Sequence, residues 1–182
     1  MYFEKPGPEH TRETLELGFA AVRERNIGHI VFATSTGTTA KAVLEMDFAS
    51  LNVVCVTHAC GYAEDGHSEL PDNLRRDLEE SGIKVLSTTH VLSGVERGLQ
   101  RKFGGIYPAE IMAYTLRMLG AGVKVCAEIS IMALDAGLIP HGQPVVAVGG
   151  THRGADTALI ISPAHAFSVF DTKIHEVICK PL

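Results

Sequence analysis

Apolar residues along the chain follow two alternating patterns: short continuous runs, and stretches in which they recur every three or four positions. The first pattern is typical of buried strands and the second of amphipathic helices. Residues 11–26 illustrate the helical pattern, with Leu15, Phe19 and Val22 on one face. Further helices are predicted over 38–46, 71–82, 108–119 and 123–138, and strands over 28–34, 51–57, 84–88, 144–150, 157–162 and 174–180.

This alternation predicts an α/β fold, a three-layer α/β/α sandwich around a largely parallel sheet. The short connection between the strands at 144–150 and 157–162 allows a hairpin, so one edge is expected to be antiparallel. The helix at 123–138 is apolar on most of its circumference, which predicts packing on both sides. With 182 residues and no tract that resembles a linker, the chain is expected to form one domain over 1–182.

Composition narrows the classes of function. No apolar run approaches the roughly 18 residues of a membrane span, and the first residues lack the features of a signal peptide, so neither membrane insertion nor secretion is expected. The net charge of -5, without a basic block, disfavours nucleic acid as a partner. Four cysteines without a CxxC pair favour a reducing cytoplasm, and the apolar composition favours a homodimer.

Hydroxyl and glycine residues follow four of the predicted strands. The segments are 34–39, 57–61, 87–90 and 149–156. Because ligands of open α/β sheets bind beyond the carboxyl ends of the strands, these loops predict a ligand site at one shared edge. The alternative is that each loop only caps a helix or makes a turn.

The first of these loops has features of a phosphate site. Its hydroxyls precede a predicted helix, and Gly37 would permit close approach of a ligand. It matches neither the Walker A nor the GxGxxG pattern. A bulky substitution at Gly37 is expected to abolish phosphate binding and to leave the fold intact.

Two stretches resemble the C-terminal α/β domain of pyruvate kinase: residues 30–57, with TSTGTTA in the middle, and residues 144–161. Nearly the whole chain, including YFEKPG, GIYPAEI, KVCAEI, DAGLIP and GGTHRGADTA, is similar to stand-alone, mostly archaeal proteins of this type that are associated with FMN. Numbering the five central predicted strands along the chain, the resemblance implies the order 3-2-1-4-5 with strand 5 antiparallel. The barrel domain that carries pyruvate kinase chemistry is absent, so that activity is not expected.

The resemblance implies FMN as cofactor, in a flavoprotein whose reaction stays open, with the first loop on the phosphate and the last loop closing over the ligand. The alternative is a non-catalytic sensor of a sugar phosphate, for which Arg97 or Arg153 would contact a second phosphate. Tyr62 and Tyr107 could stack on a ring or be ordinary half-buried tyrosines. The implied cofactor-binding residues are Thr34, Ser35, Thr36, Gly37, Thr38, Thr39, Thr57, His58, Thr88, Gly149, Gly150, Thr151, Gly154, Ala155 and Asp156.

Other side chains suggest chemistry that their spacing does not favour. Zinc is disfavoured because no ligand knuckle relates Cys55, His58, Cys60 and His67. A Cys60 nucleophile activated by His58 is conceivable, but adjacency in sequence does not set the geometry.

Glu128 and Asp135 lie on one face of a predicted helix, where a general acid or base could sit. The favoured interpretation is that Glu128 pairs with Lys124 and that Asp135 reaches solvent.

Overall fold

The computed structural model describes residues 1–182, and its helices and strands alternate along most of the chain. The α-helices are α1 (Thr11–Glu24), α2 (Thr38–Leu44), α3 (Asp72–Glu80), α4 (Gly94–Phe103), α5 (Pro108–Arg117) and α6 (Ala121–Asp135). The strands are β1 (Tyr2–Phe3), β2 (His29–Ala33), β3 (Asn52–Thr57), β4 (Lys84–Ser87), β5 (Val145–Gly149), β6 (Thr157–Ser162) and β7 (Lys173–Pro181). Two short 3-10 helices cover Pro8–His10 and Ala166–Asp171. The predicted elements are all present, whereas α4 and β1 were not predicted.

All seven strands belong to one sheet, in the order β1-β7-β6-β5-β2-β3-β4. The pairs among β2, β3, β4 and β5 are parallel, and β6 is antiparallel to both β5 and β7. The expected order holds for the five central strands. The sheet differs in detail because it continues beyond β6: β7 is the additional C-terminal strand, and β1 pairs with it in parallel.

The alternation of side chains along β2 shows how the sheet is covered. Ile30 and Phe32 pack into a core with α1, α2 and α3, while Val31 points into a second core with α6. The two faces of the sheet are therefore covered differently: three helices pack on the first face, and one long helix, α6, covers most of the second. From Gly122 to Leu134 every residue of α6 except Val125 is buried, as the apolar circumference predicted.

The connections place a crevice between β2 and β5. These strands are parallel neighbours, with Ile30 opposite Val146, and the chain leaves β2 toward α2 on one face and reaches β5 from α6 on the other. Loops diverge at such a point of an α/β sheet, which makes it the usual ligand crevice.

The segment between β4 and α6 contributes little to the two cores. No residue of α4 is buried, and Ala113 is the only buried residue of α5. None of the helices has the length and apolar character that a membrane span requires.

Candidate functional site

A cavity of about 530 Å³ opens at the carboxyl ends of β2 and β3, between α6 and the loop that follows β5. Its volume lies in the range of about 300–1,000 Å³ that is usual for small-molecule sites. Ten of the residues expected to bind a cofactor line it: Thr34, Ser35, Thr36, Thr38, Thr39, Thr57, His58, Gly150, Thr151 and Gly154. All four loops therefore border the cavity, and the loop after β4 does so through His90 alone.

Five residues expected at the site do not line the cavity: Gly37, Thr88, Gly149, Ala155 and Asp156. Thr88 is exposed. Gly37 has φ +101°, and a Cβ there would overlap Cδ2 of Leu74 on α3. A side chain at Gly37 is strained at this φ and would displace the end of the Leu74 side chain, so a bulky substitution there is expected to lower stability as well as binding.

The loop after β5 is held by its own hydrogen bonds. Asp156 is buried and accepts the Thr151 backbone N–H at 3.2 Å and the Thr157 hydroxyl at 2.8 Å. The Ala155 N–H donates to the hydroxyl of Thr11 on α1 at 3.0 Å. Asp156 and Ala155 thus shape the loop, while Gly150, Thr151 and Gly154 face the cavity.

Gly149 and Gly154 allow the backbone of the loop after β5 to lie close to neighbouring residues. A Cβ on Gly149 would lie 2.9 Å from Val125 on α6, and one on Gly154 would lie 2.6 Å from the backbone of Pro8. Gly154 also has φ +75°, which side chains rarely adopt. Both glycines therefore fix the loop against its neighbours.

Lys124 and Glu128 form a buried ion pair one helical turn apart on α6, and both line the cavity. Glu128 Oε1 also accepts the Leu92 backbone N–H at 3.0 Å. Burial lowers the pKa of Lys124, and the neighbouring carboxylate opposes that shift. The pairing expected from the sequence is confirmed. Asp135 is exposed, and its Oδ1 forms a hydrogen bond with His165 Nδ1 at 2.7 Å.

Three aromatic rings form a contiguous group, here called the ring cluster, made of His58, Tyr62 and His90. The His58 and Tyr62 centroids are 4.0 Å apart, and the Arg97 guanidinium carbon lies 5.0 Å from the Tyr62 centroid. His58 Nδ1 is 2.5 Å from Glu69 Oε2. That carboxylate fixes the orientation of the imidazole and leaves Nε2 without a protein partner. Of the two tyrosines that could stack on a ring, Tyr62 lines the cavity and Tyr107 does not.

The surroundings of His90 favour its neutral form. Burial lowers its pKa below 6.5; Glu128 opposes the shift, whereas His58, Lys124 and Arg97 reinforce it. Its Nε2 accepts the Ala59 backbone N–H at 3.3 Å, so the ring proton resides on Nδ1.

The lowered pKa of His90 predicts that acid destabilises the protein. The unfolded chain binds the proton more readily, so the free energy of unfolding should fall as pH drops from 6.5 through the folded-state pKa and level off below it. Burial lowers the pKa of His29 too, which adds in the same direction. Urea denaturation from pH 7.5 to 4.5 would measure this. His90→Gln should flatten the profile, and His67→Gln, at a side chain 71% exposed, should not. Equal profiles for all three proteins would contradict the assignment.

Positive charge at the cavity exceeds what its carboxylates neutralise. Arg97 on α4, Arg117 at the end of α5 and Arg153 in the loop after β5 all line it, and none forms an ion pair within the chain. Glu69 and Glu128 are engaged by His58 and Lys124.

Besides the three guanidinium groups, the hydroxyl of Thr34 also lacks a partner at the cavity. Thr34 is 6% exposed, lines the cavity and has no hydrogen-bond partner for Oγ1. A buried hydroxyl without a partner is costly, which favours a ligand that completes it. Of the cavity's charged groups, Arg117 and Glu69 were not anticipated from the sequence at all.

The cysteines lie outside the cavity. Cys55 is buried within β3, where burial raises its pKa to about 12. Cys60 is exposed, and the nearest partner of His58 is Glu69 rather than this thiol. His67 is exposed and lies 3.8 Å from Glu64. No group of three or more His, Cys, Asp or Glu side chains is arranged to hold a metal ion.

A comparison with protein-family models accounts for this architecture. The family described as "Pyruvate kinase, alpha/beta domain" matches residues 13–161. The match runs from α1 to β6 and includes every loop that borders the cavity, while β1 and β7 lie outside it. The chain belongs to the pyruvate kinase alpha/beta domain family.

Proposed function

We propose that the cavity binds a phosphate-bearing small molecule and that this molecule is FMN. The observation that carries the proposal is the conjunction of a buried, unpartnered Thr34 hydroxyl with three unpaired guanidinium groups around one cavity. Phosphate oxygens accept hydrogen bonds from hydroxyls and planar guanidinium groups, and Arg contacts are frequently bidentate. The resemblance to stand-alone, mostly archaeal proteins associated with FMN supports the choice of a flavin.

The donor set fits a flavin nucleotide. The hydroxyls of residues 34–39 would hold the phosphate, and the ring cluster with Ile129 and Met132 offers aromatic and apolar surface to the flavin ring. FMN would supply hydride and one-electron chemistry when bound. Glu69 Oε2 would accept a hydrogen bond from His58 Nδ1, so Nε2 could form a hydrogen bond with a bound molecule.

One observation favours a second candidate, a non-catalytic sensor of a sugar phosphate. The three guanidinium groups come from separate elements, α4, α5 and the loop after β5, and so could serve two phosphates at once. Such a ligand needs no flat apolar surface.

The unpaired state of the four cysteines supports a reducing compartment, so we place either function in the cytoplasm.

The test begins with the visible absorption spectrum of the purified protein. The protein is then titrated with FMN, riboflavin and fructose 1,6-bisphosphate, and binding is measured by calorimetry. FMN should bind at least about tenfold tighter than riboflavin, because each hydrogen bond to a charged group contributes roughly 1.5–3 kcal/mol. Binding of the bisphosphate without FMN would favour the sensor. Binding of none of the three ligands would contradict both functions.

A further inference from the structure

A second cavity, of about 210 Å³, is lined by residues of α4, α5 and α6 and of the turn that precedes α4. Arg97, Arg117 and Lys124 line both this cavity and the first one, so the two cavities share a wall of cationic side chains. None of the expected cofactor-binding residues lines the second cavity. Its volume is below the about 300–1,000 Å³ of sites for drug-sized molecules, which suits a ligand of few heavy atoms.

The guanidinium groups of Arg97 and Arg117 each lie over an aromatic ring. The guanidinium carbon of Arg97 is 5.0 Å from the centroid of Tyr62, and that of Arg117 is 5.0 Å from the centroid of Tyr114. Such a contact engages the face of the guanidinium group, whereas its N–H donors point outward in the plane. Because neither arginine forms an ion pair within the chain, each can offer two parallel N–H groups to an anion.

Two glutamates that line the second cavity connect α4 to the start of α5. Glu96 Oε2 accepts the Ala109 N–H at 2.8 Å, and Glu110 Oε1 accepts Gln100 Nε2 at 2.9 Å. Their negative charge remains close to the cavity. An anion with a single charge is therefore repelled less there than a phosphate ester, which has a charge of about −1.5 to −2.

We propose that the second cavity binds the carboxylate of a small organic acid, separate from the ligand of the first cavity. The planar guanidinium group matches the geometry of a carboxylate and binds it through two hydrogen bonds. Arg97 approaches this site from α4 and Arg117 from α5. The third cation, Lys124, is already paired with Glu128, so the two arginines supply the free positive charge.

Arg97 places the second cavity next to the ring cluster. Its guanidinium group lies over Tyr62, whose ring centroid is 4.0 Å from that of His58. A carboxylate on Arg97 would therefore lie beside the rings on which the flavin is proposed to pack. This placement makes a small organic acid the substrate class of the proposed flavoprotein. That step rests on the proposed function, whereas the carboxylate site itself does not.

The site is tested first on protein without FMN, by NMR titration with acetate, with glycolate and with acetamide, the uncharged analogue of acetate. Both acids should shift the side-chain Nε–Hε signals of Arg97 and Arg117 to saturation, and acetamide should not. Arg97→Gln should weaken acetate binding at least about tenfold, because it removes hydrogen bonds to a charged group. The matched control is Arg101→Gln on the next turn of α4, at an exposed side chain that lines neither cavity; it should bind acetate as the wild-type protein does.

Two results of this titration would overturn the carboxylate site: no saturable shift with either acid, or equal acetate affinities of Arg97→Gln and the wild-type protein. Inorganic phosphate is titrated in the same way. If phosphate shifts the same two signals and binds more tightly than both acids, the assignment to a carboxylate is wrong and the second cavity belongs to a second phosphate, as in the sensor.

Ala113→Leu distinguishes the two cavities. Ala113 is 3% exposed and lines only the second cavity, so a leucine there would occupy part of its volume. The variant should lose acetate binding and keep the FMN affinity of the wild-type protein, with the circular dichroism of a folded protein. A folded variant that still binds acetate would overturn the site. Acetate binding by a wild-type protein that does not bind FMN would contradict the proposed function and leave the carboxylate site standing.

Discussion

Glu128→Leu is expected to lower the free energy of unfolding by about 3–5 kcal/mol, because removal of one partner leaves the other charge of a buried pair uncompensated. The Lys124 side chain is only 8% exposed, and the Leu92 N–H would lose its acceptor as well. Urea denaturation at pH 7, compared with the wild-type protein, measures the loss.

Two further variants distinguish the cost of leaving a buried charge unpaired from the small contribution of an exposed ion pair. Lys124→Met/Glu128→Leu removes both charges and should regain most of the stability, since an apolar replacement of a buried pair is often neutral. Glu16→Leu breaks an exposed i,i+4 pair with Arg12 and should change the free energy by no more than about 0.5 kcal/mol. Similar losses from Glu128→Leu and Glu16→Leu would show that burial of the α6 pair has no energetic importance.

Thr34→Val is expected to weaken FMN binding by roughly 10–100-fold without loss of stability, because it removes one hydrogen bond to a charged group. Valine has nearly the shape of threonine, and the Thr34 hydroxyl has no partner in the chain. Calorimetric titration gives the affinity, and denaturation of the ligand-free protein gives the stability.

Thr14→Val is the matched control for that substitution. Thr14 is fully buried in α1, its hydroxyl also has no hydrogen-bond partner, and it does not line the cavity. The variant should therefore bind FMN as the wild-type protein does. If Thr34→Val retained full affinity, the hydroxyl would not contact the ligand; an equal loss in both variants would indicate a general effect of removing a buried hydroxyl.

The central sheet could be predicted because each of its strands is a short apolar run followed by a loop. Helix α4 was missed although Val95, Leu99 and Phe103 recur at helical spacing. Glycines at 94 and 98 and a Gly-Gly pair after the helix weaken the local helical signal, and the stripe does not join either core. The apolar stripe at helical spacing is thus the one local feature of this segment that predicts a surface helix.

The candidate site could be predicted only in part. Loops that follow neighbouring parallel strands must meet, so most residues at positions 34–39 were placed at the cavity by topology alone. Arg117 reaches the cavity because α5 packs beside α6, a contact that no local pattern specifies. The role of Gly37 depends on Leu74, which lies far along the chain on α3. Strand order thus predicts where ligands bind, while helix packing decides which charges meet them.

The lack of any buried residue in α4 has a dynamic consequence. Regions with few buried contacts open locally at little free-energy cost, whereas the amide protons of a helix as buried as α6 are expected to exchange only when the whole domain unfolds. We therefore expect the cavity to be bounded by one helix with little protection against amide exchange, α4, and by one with strong protection, α6. Fraying of this one short helix would carry Arg97 away from the cavity while the sheet stays folded, so this part of the cavity wall could open without global unfolding.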